Sequence, residues 1–177
     1  MITFDLPRDK RARIWLVEPE NYRTHAISTR EFLGKPRAYV HKHRRSIVAE
    51  MFVPGGARFE YGLLGARVVN GGAVNDEILV TIPVTGSSEP LFADSLAGRL
   101  DTVRWGLPAE YVEAVVSGAQ ESLLTYGAPA GRIIEFAWAA HGYMSSNNHR
   151  FRRLAALLIR LLITPDDVNL EGLVREA

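Results

Sequence analysis

The stretch His141–Arg153, HGYMSSNNHRFRR, concentrates residue types that hold anions. It has two histidines and three arginines and contains no Asp or Glu. A polar loop that opens into a helix start presents main-chain N–H groups and a partial positive charge, both of which attract phosphate. Arg150, Arg152 and Arg153 oppose that dipole, so a bound anion would relieve both sets of charge. Tyr143 and His141 are of the kind that stack on an unpaired base. Ser146, Asn147, Asn148 and His149 add hydrogen-bonding groups around the same turn. The chemistry expected is contact with a polyanion, RNA first. The competing reading of the same residues is a solvated helix face.

A second acid-free run, GKPRAYVHKHRR, spans Gly34–Arg45 and carries Lys35, Arg37, Lys42, Arg44 and Arg45. As a strand it would project alternate side chains from one face with Tyr39 among them, which suits RNA. An edge strand guarded by charge against aggregation accounts for it equally well. His41 and His43 would share a face, but Lys42 between them and two arginines after them repel a cation, so no metal is expected. Ser145, Ser146 and His141 are close in sequence without a nucleophile elbow around them. No GxxxxGK[ST] loop occurs, and there is no cysteine. The expectation is a non-enzymatic chain without cofactor and without nucleotide.

These residues need elements to position them. Period-two runs predict strands over SIVAEMFV, with Ile47, Ala49, Met51 and Val53 on one face, and over EILVTIPV, with Ile78, Val80, Ile82 and Val84 together. Between them, ARFEYGLLGARVV changes phase from Phe59, Tyr61 and Leu63 to Leu64, Ala66 and Val68. Beside Gly62 and Gly65 that change predicts a β-bulge. Asn70–Gly72 reads as a hairpin turn, and Pro83 places its strand at an edge or near an end. A further strand is expected near Leu100–Trp105, and another over RIIEFAWAA with Ile134, Phe136 and Trp138 on one face.

Two helices follow from 3.6-residue periodicity. The first begins near Pro108, buries Val112, Val115, Val116, Ala119 and Leu123, and stops at Gly127. The second runs from about Asn148 to Ile163, with Phe151, Leu154, Leu158, Leu161 and Leu162 as its stripe. Arg150, Arg152, Arg153 and Arg160 are placed off that stripe. Trp105 and Trp138 read as core aromatics. Strands followed by helices on one face predict an α+β two-layer sandwich. Residues 1–35 read as an N-terminal arm or edge strand, 36–163 as the domain, and 164–177 as a tail.

The 177 residues carry a net charge of only +1, with 47% hydrophobic and 23% charged residues, so any electrostatic site must come from local clustering. No apolar run has the length of a signal peptide or membrane span, which predicts a cytoplasmic protein with no membrane contact.

Several stretches, in order, resemble domain four of translation elongation factor G and the related ribosomal protection GTPases. They are GKPRAY at Gly34–Tyr39, GGARFEYG at Gly55–Gly62, GLPAEYVEAVVSGAQESL at Gly106–Leu123, Gly127 with Gly131, and, more loosely, SNNHRF at Ser146–Phe151. The resemblance covers roughly Gly34–Ile163 and is most specific in the helix at 106–123. It implies a ribosomal-protein-S-five domain-two-like sandwich with a left-handed βαβ crossover. It also implies a loop before the second helix, which in the family reaches the decoding centre. The chain departs from the family in lacking the GTPase domain and in a shorter loop without acidic residues. The function expected is a stand-alone RNA- or ribosome-binding module. The alternative is a protein-interaction or homodimerising domain that kept the fold without the RNA role, using its open sheet face and aromatic residues.

Overall fold

The computed structural model describes residues 1–19, 26–35, 44–70, 77–86, 89–128, 131–165 and 168–177. Lys42, with Arg37, Tyr39, His41, His43 and the Gly71–Gly72 turn, lies outside them.

The described residues form an α+β sandwich: one open eight-stranded sheet with three α-helices. The strands are β1 (Ile2–Leu6), β2 (Lys10–Trp15), β3 (Ala26–Gly34), β4 (Ser46–Gly55), β5 (Arg58–Asn70), β6 (Ile78–Thr85), β7 (Val103–Trp105) and β8 (Arg132–Gly142). The helices are α1 (Ala109–Tyr126), α2 (Asn148–Ile163) and α3 (Leu170–Glu176). The sheet order is β1-β2-β4-β5-β8-β6-β3, with β7 paired to the far end of β8. Neighbours are antiparallel except β6 and β8.

Residues 1–35 contribute three strands at both edges of the sheet, where the sequence suggested an arm or one edge strand. Alternation in KRARIW explains β2. Ala12 and Ile14 are fully buried, while Arg11 and Arg13 lie on the opposite face and engage residues 94–96. The tail also differs from expectation, because α3 packs Leu173 and Val174 into the main core.

The apolar stripes expected of both helices are buried. Pro108 caps α1, the five predicted positions are buried, and Gly127 stops the helix at φ 75° with its N–H on the Leu123 carbonyl at 2.8 Å. In α2 the predicted stripe is fully buried. Ile78, Val80, Ile82 and Val84 share the helix-side core, as expected. Pro83 lies beyond Leu79–Thr81, where pairing with β8 ends, so its missing N–H costs the ladder nothing on that side.

Three strand expectations change. The phase change in β5 is no bulge in that strand, whose register with β4 is unbroken from Gly55↔Arg58 to Ser46↔Arg67. Both faces of β5 are buried. Tyr61 and Leu63 point to one core, and Leu64 and Ala66 to the other. The irregularity sits in β8, where partners step from Gly65↔Trp138 to Arg67↔Glu135, one residue more on β8 than on β5. That extra residue turns Trp138 away from Ile134 and Phe136, so it joins the second core and not theirs. The Asn70 hairpin signal does not pair β5 with β6, because β8 lies between them.

The second core covers the sheet face away from the helices. Segment 89–105 lays Phe92, Leu96, Ala97, Val103 and Trp105 over Val48, Phe52, Tyr61, Leu63 and Trp138. Phe92 and Trp105 have ring centroids 4.4 Å apart. Trp105 and Trp138 are therefore buried within the chain rather than open on the sheet face. Beneath this cover Glu50 is fully buried. Its Oε1 accepts from the Tyr61 hydroxyl at 2.9 Å and the Leu96 N–H at 2.7 Å, and its Oε2 lies 3.4 Å from Arg13. Burial raises the Glu50 carboxyl above its ordinary value despite those partners.

The helices meet closely at Gly118. A Cβ there would lie against the main-chain carbonyl of Arg152, which cannot move without shifting α2. Gly118→Ala gains about 1 kcal/mol of helix propensity, but forced overpacking costs about 1–3 kcal/mol and occasionally more. A net loss of thermal stability is the expected outcome. A more stable Gly118→Ala protein in a melting experiment would show that the helices are not this close. Among the described residues no helix is long and apolar enough to cross a membrane.

Candidate nucleic-acid interface

The turn between β8 and α2 is built from its own polar groups. Asp101 lies beneath it and accepts from the Met144 N–H at 3.1 Å, the Ser145 N–H at 2.9 Å and the Ser145 hydroxyl. The Tyr143 N–H donates to the Thr102 carbonyl at 3.0 Å. The Ser146 hydroxyl donates to the Tyr61 carbonyl at 2.9 Å and accepts from the Gly142 N–H at 2.9 Å. Asn147 then caps α2, its side chain accepting from the Arg150 N–H at 2.8 Å. Two neighbouring loops are thus joined into one rigid tip. Both serines hold the turn rather than face an imidazole.

The tip presents an apolar and aromatic point. Tyr143 is 86% exposed and Met144 75%, and Leu100 is exposed on the adjoining loop. Asn148 and His149 are exposed on the first turn of α2. His141 is half-buried instead. Its Nδ1 lies 3.1 Å from the Gly106 carbonyl, its ring is 6.3 Å from Tyr111, and burial holds it below the usual histidine range. It supports the tip from behind.

The arginines are placed differently from expectation. Arg150 belongs to the interior and is only 2% exposed. Its guanidinium grips Glu60 Oε2 from Nη2 at 2.7 Å and from Nε at 3.2 Å, and Nη1 reaches the Ala177 main-chain oxygen at 3.2 Å. Burial by itself would raise the Glu60 carboxyl. The hydrogen bonds and charge of Arg150, with help from Asn147 and His149, more than offset this and hold it below its ordinary value. Arg152 pairs with Glu121 at 2.9 Å. Arg153 donates to the Glu176 carbonyl. Arg160 pairs with Glu176 at 2.7 Å. The cluster is acid-free in sequence, yet in space acids from β5, α1 and α3 answer it.

The second basic run separates in the same way. Arg44 is buried, and its guanidinium donates to the carbonyls of Leu161 and Thr164 at 2.8 Å and of Pro165 at 3.1 Å. It satisfies the last carbonyls of α2, where a cation also suits the helix dipole. Arg45 is exposed on the surface. Asp101, Glu60 and Tyr111 are the supporting residues that sequence reasoning missed. Lone polar residues in separate segments give no local signal of convergence.

No protein-family model matches the chain, and no curated protein matches it.

Proposed function

We propose that the chain is a non-enzymatic RNA- or ribosome-binding module that meets its partner with the tip formed by residues 98–102 and 142–149. The observation that carries this reading is the tip itself. Main-chain hydrogen bonds and one carboxylate hold it rigid, while Tyr143 stands 86% exposed at its apex beside Asn148 and His149. Rigid loops keep aromatic contacts ready at low entropic cost, and a solvent-facing tyrosine is a stacking platform for an unpaired base. The resemblance to elongation factor G domain four points to the same loop.

A protein partner is favoured by a different observation. Asp101 places negative charge under the tip, and Arg150, Arg152 and Arg160 already have acidic partners. An exposed Leu100, Tyr143 and Met144 fit a protein surface as well as a base.

The test is RNA binding across a salt series. Tyr143→Ala should weaken binding by about 1–3 kcal/mol, the usual loss of one base stack, and leave the salt slope unchanged. Arg152→Ala with Arg153→Ala should flatten the log–log slope by at most about 1.4, or 0.7 for each phosphate released from a single strand. Failure of the wild type to bind any RNA at low salt would leave the protein-partner reading in its place.

A further inference from the structure

A groove of about 400 Å³ runs between α1, α2 and α3. Its volume is that of a small-molecule site. Ala156, Leu157 and Leu173 give it an apolar lining. Tyr126, 46% exposed, contributes an aromatic face over which the Arg160 guanidinium sits 5.4 Å from the ring centroid. Arg152, Arg153 and His149 complete the polar lining. The groove shares His149 with the tip, and Arg152 and Arg153 with the RNA test, but it does not use Tyr143.

Three arginines face two side-chain carboxylates and the main-chain oxygen of Ala177, which Arg150 already engages, and each side-chain carboxylate has one partner: Glu121 holds Arg152, and Glu176 holds Arg160. Arg153 donates to a main-chain carbonyl of Glu176, and among the described residues it has no carboxylate in ion-pair range. The Arg152–Glu121 pair is solvent-exposed, at 56% and 59%, and Glu176 of the other pair is exposed as well. Such pairs contribute little and exchange readily. Arg153 is therefore the groove's guanidinium without an acidic side-chain partner among the described residues, and Arg152 is one that an incoming anion can share.

We propose that this groove binds a small anion with a flat apolar body, its paired acidic oxygens on Arg153 and its body between Tyr126 and the Leu157–Leu173 lining. A guanidinium fork takes a carboxylate or a phosphate ester in the same bidentate geometry. The shared chemistry is a planar body with one acidic head.

The experiment is a titration of the full chain, followed by amide NMR, with benzoate, phenyl phosphate, inorganic phosphate and benzylamine. Saturable shifts confined to α1, α2 and α3 are expected with benzoate or phenyl phosphate. The stronger of the two identifies the head group. Arg153→Gln should weaken that binding by roughly tenfold or more, the equivalent of one charge-assisted hydrogen bond. Tyr126→Ala should weaken it too, and Arg58→Gln, on the β4–β5 hairpin, should not. Several results would overturn the proposal. These are no saturation by either aromatic anion, equal binding of inorganic phosphate or benzylamine, or unchanged affinity in both the Arg153 and Tyr126 variants.

Discussion

Arg150→Ala should lower stability by about 3 kcal/mol, although the sequence places this residue in a solvent-facing basic cluster. Removing one partner of a buried ion pair costs roughly 3–5 kcal/mol, because the remaining charge is left without compensation. The lower end applies here, since Glu60 is one-third exposed and water can partly replace the arginine. Arg150→Lys should recover little, because a single ammonium cannot reproduce the fork that reaches Glu60 and the Ala177 main chain together. Chemical denaturation of the three proteins is the check. A loss below about 0.5 kcal/mol, the size of an ordinary surface substitution, would mean that the guanidinium lies in solvent.

The same pair gives stability a pH dependence of defined sign. Glu60 in the folded chain titrates below its ordinary value, so the unfolded chain binds the proton first as pH falls. Its contribution is present above the unfolded carboxyl value and is lost as pH falls through the folded one. Glu50 acts oppositely. Its raised value means the folded chain keeps a proton the unfolded chain has released, so its term weakens as pH rises from the ordinary carboxyl value through the folded one. In Arg150→Ala the acid-side loss from Glu60 should shrink while the Glu50 term remains.

What the sequence made legible was local. The ends of α1 follow from a proline and a glycine, and the course of both helices from two apolar stripes, all within one helix length of the residues they govern. The face of β6 follows from simple alternation. What was hidden depends on distant segments. Arg150 finds Glu60 across 90 residues of chain, and Arg44 finds Leu161 across 117. No window of sequence distinguishes such arginines from solvated ones. Burial on both faces of β5 mimics a phase change, because period-two reasoning assumes one wet face. The added residue in β8 then moves Trp138 to the other core, which alternation cannot foresee. At the candidate site, the turn and exposed Tyr143 were readable, whereas the support of Asp101 and the loss of Arg150 to the interior were not.

Phe151→Ala should be as damaging as Arg150→Ala, and for a reason that joins the core to the tip. Phe151 is fully buried in the first turn of α2, and its ring stacks on Tyr111 of α1 with centroids 4.7 Å apart. Truncating a buried phenylalanine costs about 3–5 kcal/mol through lost burial and the cavity left behind, and the lost ring pair is worth about 0.5–1.5 kcal/mol of that. Tyr111 also faces His141 and reaches the Ser146 carbonyl with its hydroxyl at 3.4 Å, so its ring connects the helix pair to the β8–α2 turn. Phe151→Leu, which keeps most of the volume, should cost less but still lose the stack. Two measurements separate the effects: a denaturation midpoint for the core, and amide exchange at Met144 and Ser145 for the tip. Faster exchange there in Phe151→Leu, with most of the global stability retained, is expected if Tyr111 steadies the turn. Protection equal to wild type would mean that Asp101 and Ser146 hold the tip without help from the core.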